Sequence, residues 1–260
     1  MNQTAQIAWP KPGKVLMGLI AANVVIYVLQ LLLLRANQGW VIDLYLSPSG
    51  VFDRGYVWQP LTYMFLHDPG EPWHLLLNMV WLYFFGTQLE RWWGAKRFLT
   101  AYFVFGLGGA ALTLAVGALS TTSLFSPLLP NFYIRPHFGA SAASMGIVAS
   151  WGLVYAEKEM HFFLLGRMKG KTFVLIVLAF ELLRALSYSS VSSTSHFGGM
   201  AAAFVLCRGL WRPSKVKELF RRARLRNKRK KIEGQLRVLE GGHKAAPPPK
   251  PDPKDPKYWN

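Results

Sequence analysis

The chain has 260 residues, 52% of them apolar and 14% aromatic, and 30 Lys and Arg against 13 acidic residues give a net charge of +17. The charge is uneven: residues 208–260 hold 17 basic and 5 acidic residues, a net of +12, which leaves +5 for the first 207. Apolar stretches of about twenty residues recur through the front and exclude a water-soluble globular fold, while the single cysteine, Cys207, excludes an internal disulfide and a multi-thiolate metal site.

The first apolar run, Val15 to Leu34, is too long for a cleavable secretory signal and lacks a small-residue cleavage site, so it reads as a retained span. Further spans are expected at Trp73 to Glu90, Phe98 to Leu119, Gly139 to Ala156, Thr172 to Tyr188 and His196 to Trp211. The fold class is therefore an all-α, polytopic membrane protein with six transmembrane helices.

The connections support that count. Counted from inside, the inner segments carry Lys11 and Lys14, then Arg91, Lys96 and Arg97, then Lys158, Arg167, Lys169 and Lys171, then the basic tail; the outer segments carry only Arg35, Arg54 and Arg135. Positive residues favour the cytoplasmic side, so both termini are placed in the cytoplasm. The outer segment from Arg35 to Pro72 is rich in Trp, Tyr and Phe and is expected to form a partly helical loop at the membrane interface. Ser120 to Phe138 mixes apolar residues with Pro127, Pro130 and Pro136 and is expected to fold back toward the membrane.

The chain divides accordingly into a cytoplasmic segment (1–14), a six-span domain (15–212), a basic cytoplasmic or interfacial helix (213–240) and a disordered Pro-rich tail (241–260). The basic run from Arg221 to Lys231 directly follows an inner span end, so its expected partner is anionic lipid rather than nucleic acid.

Polar side chains inside lipid are expensive and ask for a partner or a purpose. The second, fourth and sixth spans all start at the outer leaflet. The second opens with His74 and has Asn78 four residues deeper, on the same face. The fourth opens with Gly139, Ala140 and Ser141, and the sixth with Ser195 and His196 followed by Gly198 and Gly199. One hydroxyl, two imidazoles and one carboxamide are thereby set at similar depth. A serine within reach of a histidine is the minimum for nucleophilic catalysis, and a serine at a helix start lies where free backbone N–H groups stabilise an oxyanion. The glycines and alanines around both residues allow the helices to approach closely.

In this order the motifs Trp73-His74-Leu75-Leu76-Leu77-Asn78, Gly86/Glu90/Gly94, Gly139-Ala140-Ser141 and Ser195-His196-Phe197-Gly198-Gly199 resemble those of the rhomboid family of intramembrane serine proteases, over most of residues 15–212. The resemblance implies a site-specific endopeptidase that cuts transmembrane segments of other proteins near their outer ends. In that reading Ser141 is the nucleophile and His196 the general base, a dyad without an acidic third member, and His74, Asn78 and the Ser141 amide line the oxyanion hole. It also implies substrate entry past the second and fifth spans, no metal or other cofactor, and a bacterial inner membrane as the location.

Four positions depart from the family pattern. Ala142 replaces the glycine after the serine, at an expected close contact of the fourth and sixth helices; Met145 stands where an aromatic ring commonly packs on the catalytic imidazole; Gln59 replaces an outer-loop arginine; and Ser195 replaces an alanine. Ala142 and Met145 motivate an alternative, a catalytically inactive rhomboid-like protein that binds or escorts membrane proteins. His67 and His137 are expected to be structural, and Glu181 and Arg184 to satisfy one another on the fifth span. A small transporter, in which solute flux would track those two residues, has no specific support.

Overall fold

Residues 11–162, 166–186 and 193–209, with 218, 221–222, 224–229 and 232–233 of the tail, are described by the computed structural model. The chain divides after Gly209 into two compact units.

Twenty-two residues without an internal proline form α1 (Lys14–Arg35), about 33 Å long at 1.5 Å per residue and enough for a bilayer core. Its buried residues Leu16, Leu19, Asn23, Tyr27 and Gln30 recur at three- and four-residue intervals, which is one stripe of a helix. Val24, Val25, Val28, Leu29 and Leu32 lie exposed. No side chain within α1 caps its start; the carboxylate of Glu90, 75 residues away, accepts from the backbone N–H of Val15 (3.1 Å) and Leu16 (3.0 Å). A negative group there satisfies free donors and opposes the helix dipole together.

The segment from α1 to the next long helix is built of short turns: a 3-10 helix (Gly39–Leu44), α2 (Pro48–Phe52), α3 (Gln59–Thr62) and a second 3-10 turn (Tyr63–Phe65). Buried Gln59 holds it together, its carbonyl accepting from Ser47 N and its amide donating to Asp43 O. The long helix α4 (Pro72–Trp93) opens on a proline at its first position and ends at Gly94, whose φ of +80° permits the turn into α5 (Ala95–Ser120). Residues 121–138 form successive turns that lie along the first loop: Leu46 and His137 exchange backbone hydrogen bonds, and the Tyr133 hydroxyl donates to Asp53 at 2.7 Å.

α6 (Ser141–Val154) is short, 14 residues, and is buried continuously from Ser141 to Gly152 because α4, α5 and α8 pack around it. α7 (Gly170–Leu186) buries only Gly170, Phe173 and Glu181, and α8 (Ser193–Cys207) packs on α5 and α6. Each of the six sequence segments expected to be a span overlaps one of these six longer helices, with residues 187–188 and 210–211 of the expected fifth and sixth outside the described residues. Two of them, α1 and α5, are long and apolar enough to cross a membrane by themselves; α6 is a shorter apolar helix. Of the others, α6 is enclosed by protein, whereas α7, at 17 residues, is short and largely exposed.

The protein is mostly helical but departs from an all-α fold. Between α6 and α7 the chain makes an antiparallel hairpin, β1 (Glu159–Phe162) with β2 (Gly166–Lys169), in the register Glu159 to Lys169. In the tail unit the described residues are helical, with i,i+4 pairs between Glu218 and Arg222 and between Glu233 and Arg229. The Pro-rich segment 241–260 and residues 1–10 lie outside the described residues.

Candidate active site

Ser141 is the first residue of α6 and is buried, 6% exposed. The chain reaches it through Gly139, whose φ of +126° is closed to other residues without strain. Two bonds fix that approach: Gly139 N donates to Tyr63 O at 2.9 Å, and Ala140 N donates to His67 Nε2 at 3.5 Å. Tyr63 is itself anchored, its hydroxyl donating to Gly106 O of α5 at 2.6 Å. His67 is held by Gln30 of α1, which donates to His67 O (2.6 Å) and accepts from His67 N (3.1 Å). Burial, helped by neighbouring His74, lowers the His67 ring to a pKa of about 3, and burial with Arg135 nearby lowers His137 to about 4, so both are neutral structural rings.

His74 lies in the first turn of α4. Its Nδ1 accepts from Asp68 N at 3.3 Å, which leaves the proton on Nε2 as a donor. That edge of the ring borders the space over Gly139: a side chain begun there would lie 2.9 Å from His74 Cε1, 3.0 Å from His74 Nε2 and 3.4 Å from Ser141 Oγ. Asn78, one turn deeper and buried, donates from Nδ2 to His74 O at 2.8 Å, leaving one N–H of its amide beyond that bond.

α8 brings His196 to the same end of the bundle. The seam between α5, α6 and α8 is made of backbone contacts. A side chain at Gly199 would strike the backbone of Ala142, one at Gly198 would strike Gly108 and Gly109, and one at Gly109 would meet the Ala142 methyl (2.5 Å) and Ser195 O (2.8 Å). The Ala142 methyl therefore lies beside Gly109 of α5, which leaves room for it, while the Ala142 backbone lies against Gly199 of α8. Met145, one turn beyond Ser141, packs in the core.

His196 is 4% exposed, and its Nε2 is buried with no hydrogen-bond partner, so no Ser141–His196 hydrogen bond is formed in this state. Such bonds are commonly long before substrate arrives. His74 and His196 are close enough to interact electrostatically. His196 Nδ1 lies 2.8 Å from Glu181 Oε2, and the other carboxylate oxygen of Glu181 lies 3.5 Å from Arg184 Nη1. The expected Glu181–Arg184 pair is thus present, but the second oxygen serves the histidine. Sequence reasoning missed that contact; a carboxylate in the middle of an apolar helix was the available signal. Among the described residues no group of three His, Cys, Asp or Glu side chains is placed to hold a metal ion.

A family model described as Rhomboid domain matches residues 54–213. Among curated proteins, the chain is 25% identical over 197 residues to Rhomboid-like protein 16, chloroplastic, of Arabidopsis thaliana, which covers 74% of this chain and 60% of that protein. It is 26% identical over 198 residues to RHOMBOID-like protein 12, mitochondrial, of the same plant, covering 74% and 56%. It is also 27% identical over 193 residues to Rhomboid protease AarA of Providencia stuartii, covering 70% and 66%. The chain thus spans less than two thirds of the length of the two plant relatives.

Proposed function

Because this chain belongs to the rhomboid family, we propose that it is an intramembrane serine endopeptidase that cuts the transmembrane segments of other membrane proteins near their outer ends. Family membership makes it an integral membrane protein with a polytopic helical fold. In the proposed topology the six longer helices are six spans, residues 15–212 form the membrane domain, both termini are cytoplasmic, and the membrane is a bacterial inner membrane. The hairpin end, with Arg167, Lys169 and Lys171, then lies on the positive side. The basic segment 213–240, most of which lies outside the described residues, rests on anionic lipid.

One observation carries the reading of the site: Ser141 Oγ and His74 Nε2 both lie within 3.4 Å of one point over Gly139, where only a hydrogen stands. A substrate carbonyl there meets a hydroxyl and an N–H donor at once. Ser141 attacks the carbonyl carbon, and its proton passes to His196 Nε2, the buried nitrogen with no other partner. His74 Nε2–H and the remaining Asn78 N–H stabilise the tetrahedral oxyanion, aided by the start of α6, whose first N–H groups no side chain caps. His196 then returns the proton to the leaving amine, and water releases the acyl enzyme. The relatives named as proteases support this chemistry.

The test is cleavage of single-span reporter proteins by the purified chain in bilayers, with products identified by mass. Cleavage within the outer third of the reporter helix, lost in Ser141→Ala and His196→Ala, is the expected result. No cleavage of any reporter, or cleavage that survives Ser141→Ala, overturns the proposal.

A further inference from the structure

The family resemblance implies a serine–histidine dyad, yet in this chain the nitrogen of His196 that faces away from the reaction is not idle. Nδ1 lies 2.8 Å from Glu181 Oε2, between side chains 5% and 3% exposed. The geometry that brings them together is set by helix rise. Glu181 lies five residues before the end of α7 and His196 three residues after the start of α8, so both sit about 4 to 8 Å below their helix ends. Glu181 is one of only three buried residues on α7. Its other oxygen faces the Arg184 guanidinium at 3.5 Å. Paired in this way, the carboxylate is an acceptor only, so the hydrogen bond requires a proton on Nδ1 of His196. A neutral imidazole carries one proton; with it on Nδ1, Nε2 presents a lone pair, and Nε2 is the buried nitrogen without a partner. The charged groups around this ring are Glu181 and Arg184 from α7, with His74 from α4.

We propose that Glu181 is a positioning residue that completes a Ser141–His196–Glu181 triad: it holds the imidazole in the tautomer able to accept the serine proton and stabilises the imidazolium that forms. This inference rests on the protease reading above. In the step itself the Ser141 Oγ–H bond breaks, the Oγ–carbonyl carbon bond forms, and the carbonyl π pair moves onto its oxygen to give the oxyanion. The proton moves to Nε2, the Nδ1 proton stays on the imidazole, and no proton passes to Glu181.

Glu181→Gln separates this role from a structural one. Arg184 can only donate, so it selects the amide oxygen of Gln, which turns the amide N–H toward Nδ1. Nδ1 must then accept, the proton moves to Nε2, and the base is lost with the packing unchanged. The expected effect is a fall in kcat of about 10²- to 10⁴-fold on a reporter helix with little change in KM, and partial recovery in Glu181→Asp. A residue that served only to tether α7 would instead move KM and thermal stability.

A second readout does not need activity. The protein is labelled with ¹⁵N-histidine and the ring resonance that disappears in His196→Ala is followed: it should report an Nδ1–H tautomer in the parent and Nε2–H in Glu181→Gln. If the parent cleaves reporters and Glu181→Gln keeps kcat within about threefold, the inference is wrong and the protease reading stands. If the parent never cleaves, the protease reading fails, and an Nε2–H tautomer at His196 in that parent would overturn the Glu181 contact as well.

Discussion

Replacing Gly199 by Ala tests the backbone seam that brings α8 against α6. The added methyl would lie 2.8 Å from the Ala142 carbonyl carbon and 3.2 Å from its Cα, and closer still to its oxygen. Carbon atoms rest at about 3.5 to 4.0 Å, so α8 must retreat by roughly 0.7 Å or more at this level. These are backbone atoms, which no rotamer change can move aside. Overpacking of this kind costs about 1 to 3 kcal/mol, and a displacement near 1 Å at reacting groups costs on the order of 10²-fold in rate. Reporter cleavage and thermal unfolding in the same detergent measure both. Gly18→Ala is the control: nothing lies within 4 Å of its added methyl, and alanine in an exposed helical site is worth about 0.5 to 1 kcal/mol relative to glycine. Should Gly199→Ala cleave at the parent rate and unfold at the parent temperature, the α6–α8 contact is not what sets the site.

Glu90→Ala strands the buried N–H of Leu16 and frees the half-buried N–H of Val15, and thermal unfolding should register a loss of about 1 to 3 kcal/mol. Tyr63→Phe removes the bond to Gly106 O, so a loss of about 1 kcal/mol in denaturant unfolding is expected while the hydrophobic packing of the ring is kept. His67 and His137 have folded pKa values of about 3 and about 4 against an unfolded value of 6.5, so the unfolded chain binds more protons between those limits. The stability they allow is complete above pH 6.5 and is lost as pH falls toward 4. A melting temperature that drops between pH 7.5 and pH 5, with a shallower slope in His137→Gln, is expected; a flat profile contradicts it. Ala142→Gly restores the glycine of the family pattern, but the methyl it removes touches α5, so it should lower stability by about 0.5 to 1 kcal/mol without raising the rate of cleavage.

The six helices could be read from apolar length and from the alternation of charge in the connections, because both signals are local. That Ser141, His196, His74 and Asn78 lie at or near helix starts could be read for the same reason, since topology alone sets their depth. What stayed hidden depends on how helices are rotated and paired. Where the Ala142 methyl sits between its neighbours is a matter of the rotation of α6, and a one-residue change in spacing would turn it by about 100°. Glu90 was recognisable as part of a motif, yet its role as the cap of α1 joins positions 75 residues apart. Arg184, three residues from Glu181, is the local partner the sequence offers; a carboxylate has two oxygens, and the second is used by a different helix. The hairpin of β1 and β2 escaped because four-residue strands in a basic connection carry too short a pattern to register.

The most direct measurement is reaction of the purified protein with a fluorophosphonate probe, followed by mapping of the modified residue by mass spectrometry. The account predicts an adduct on Ser141 that forms in the parent, slows by orders of magnitude in His196→Ala and is absent from Ser141→Ala. An adduct on another residue, or a Ser141→Ala protein that still cleaves reporter helices at the parent rate, would contradict it.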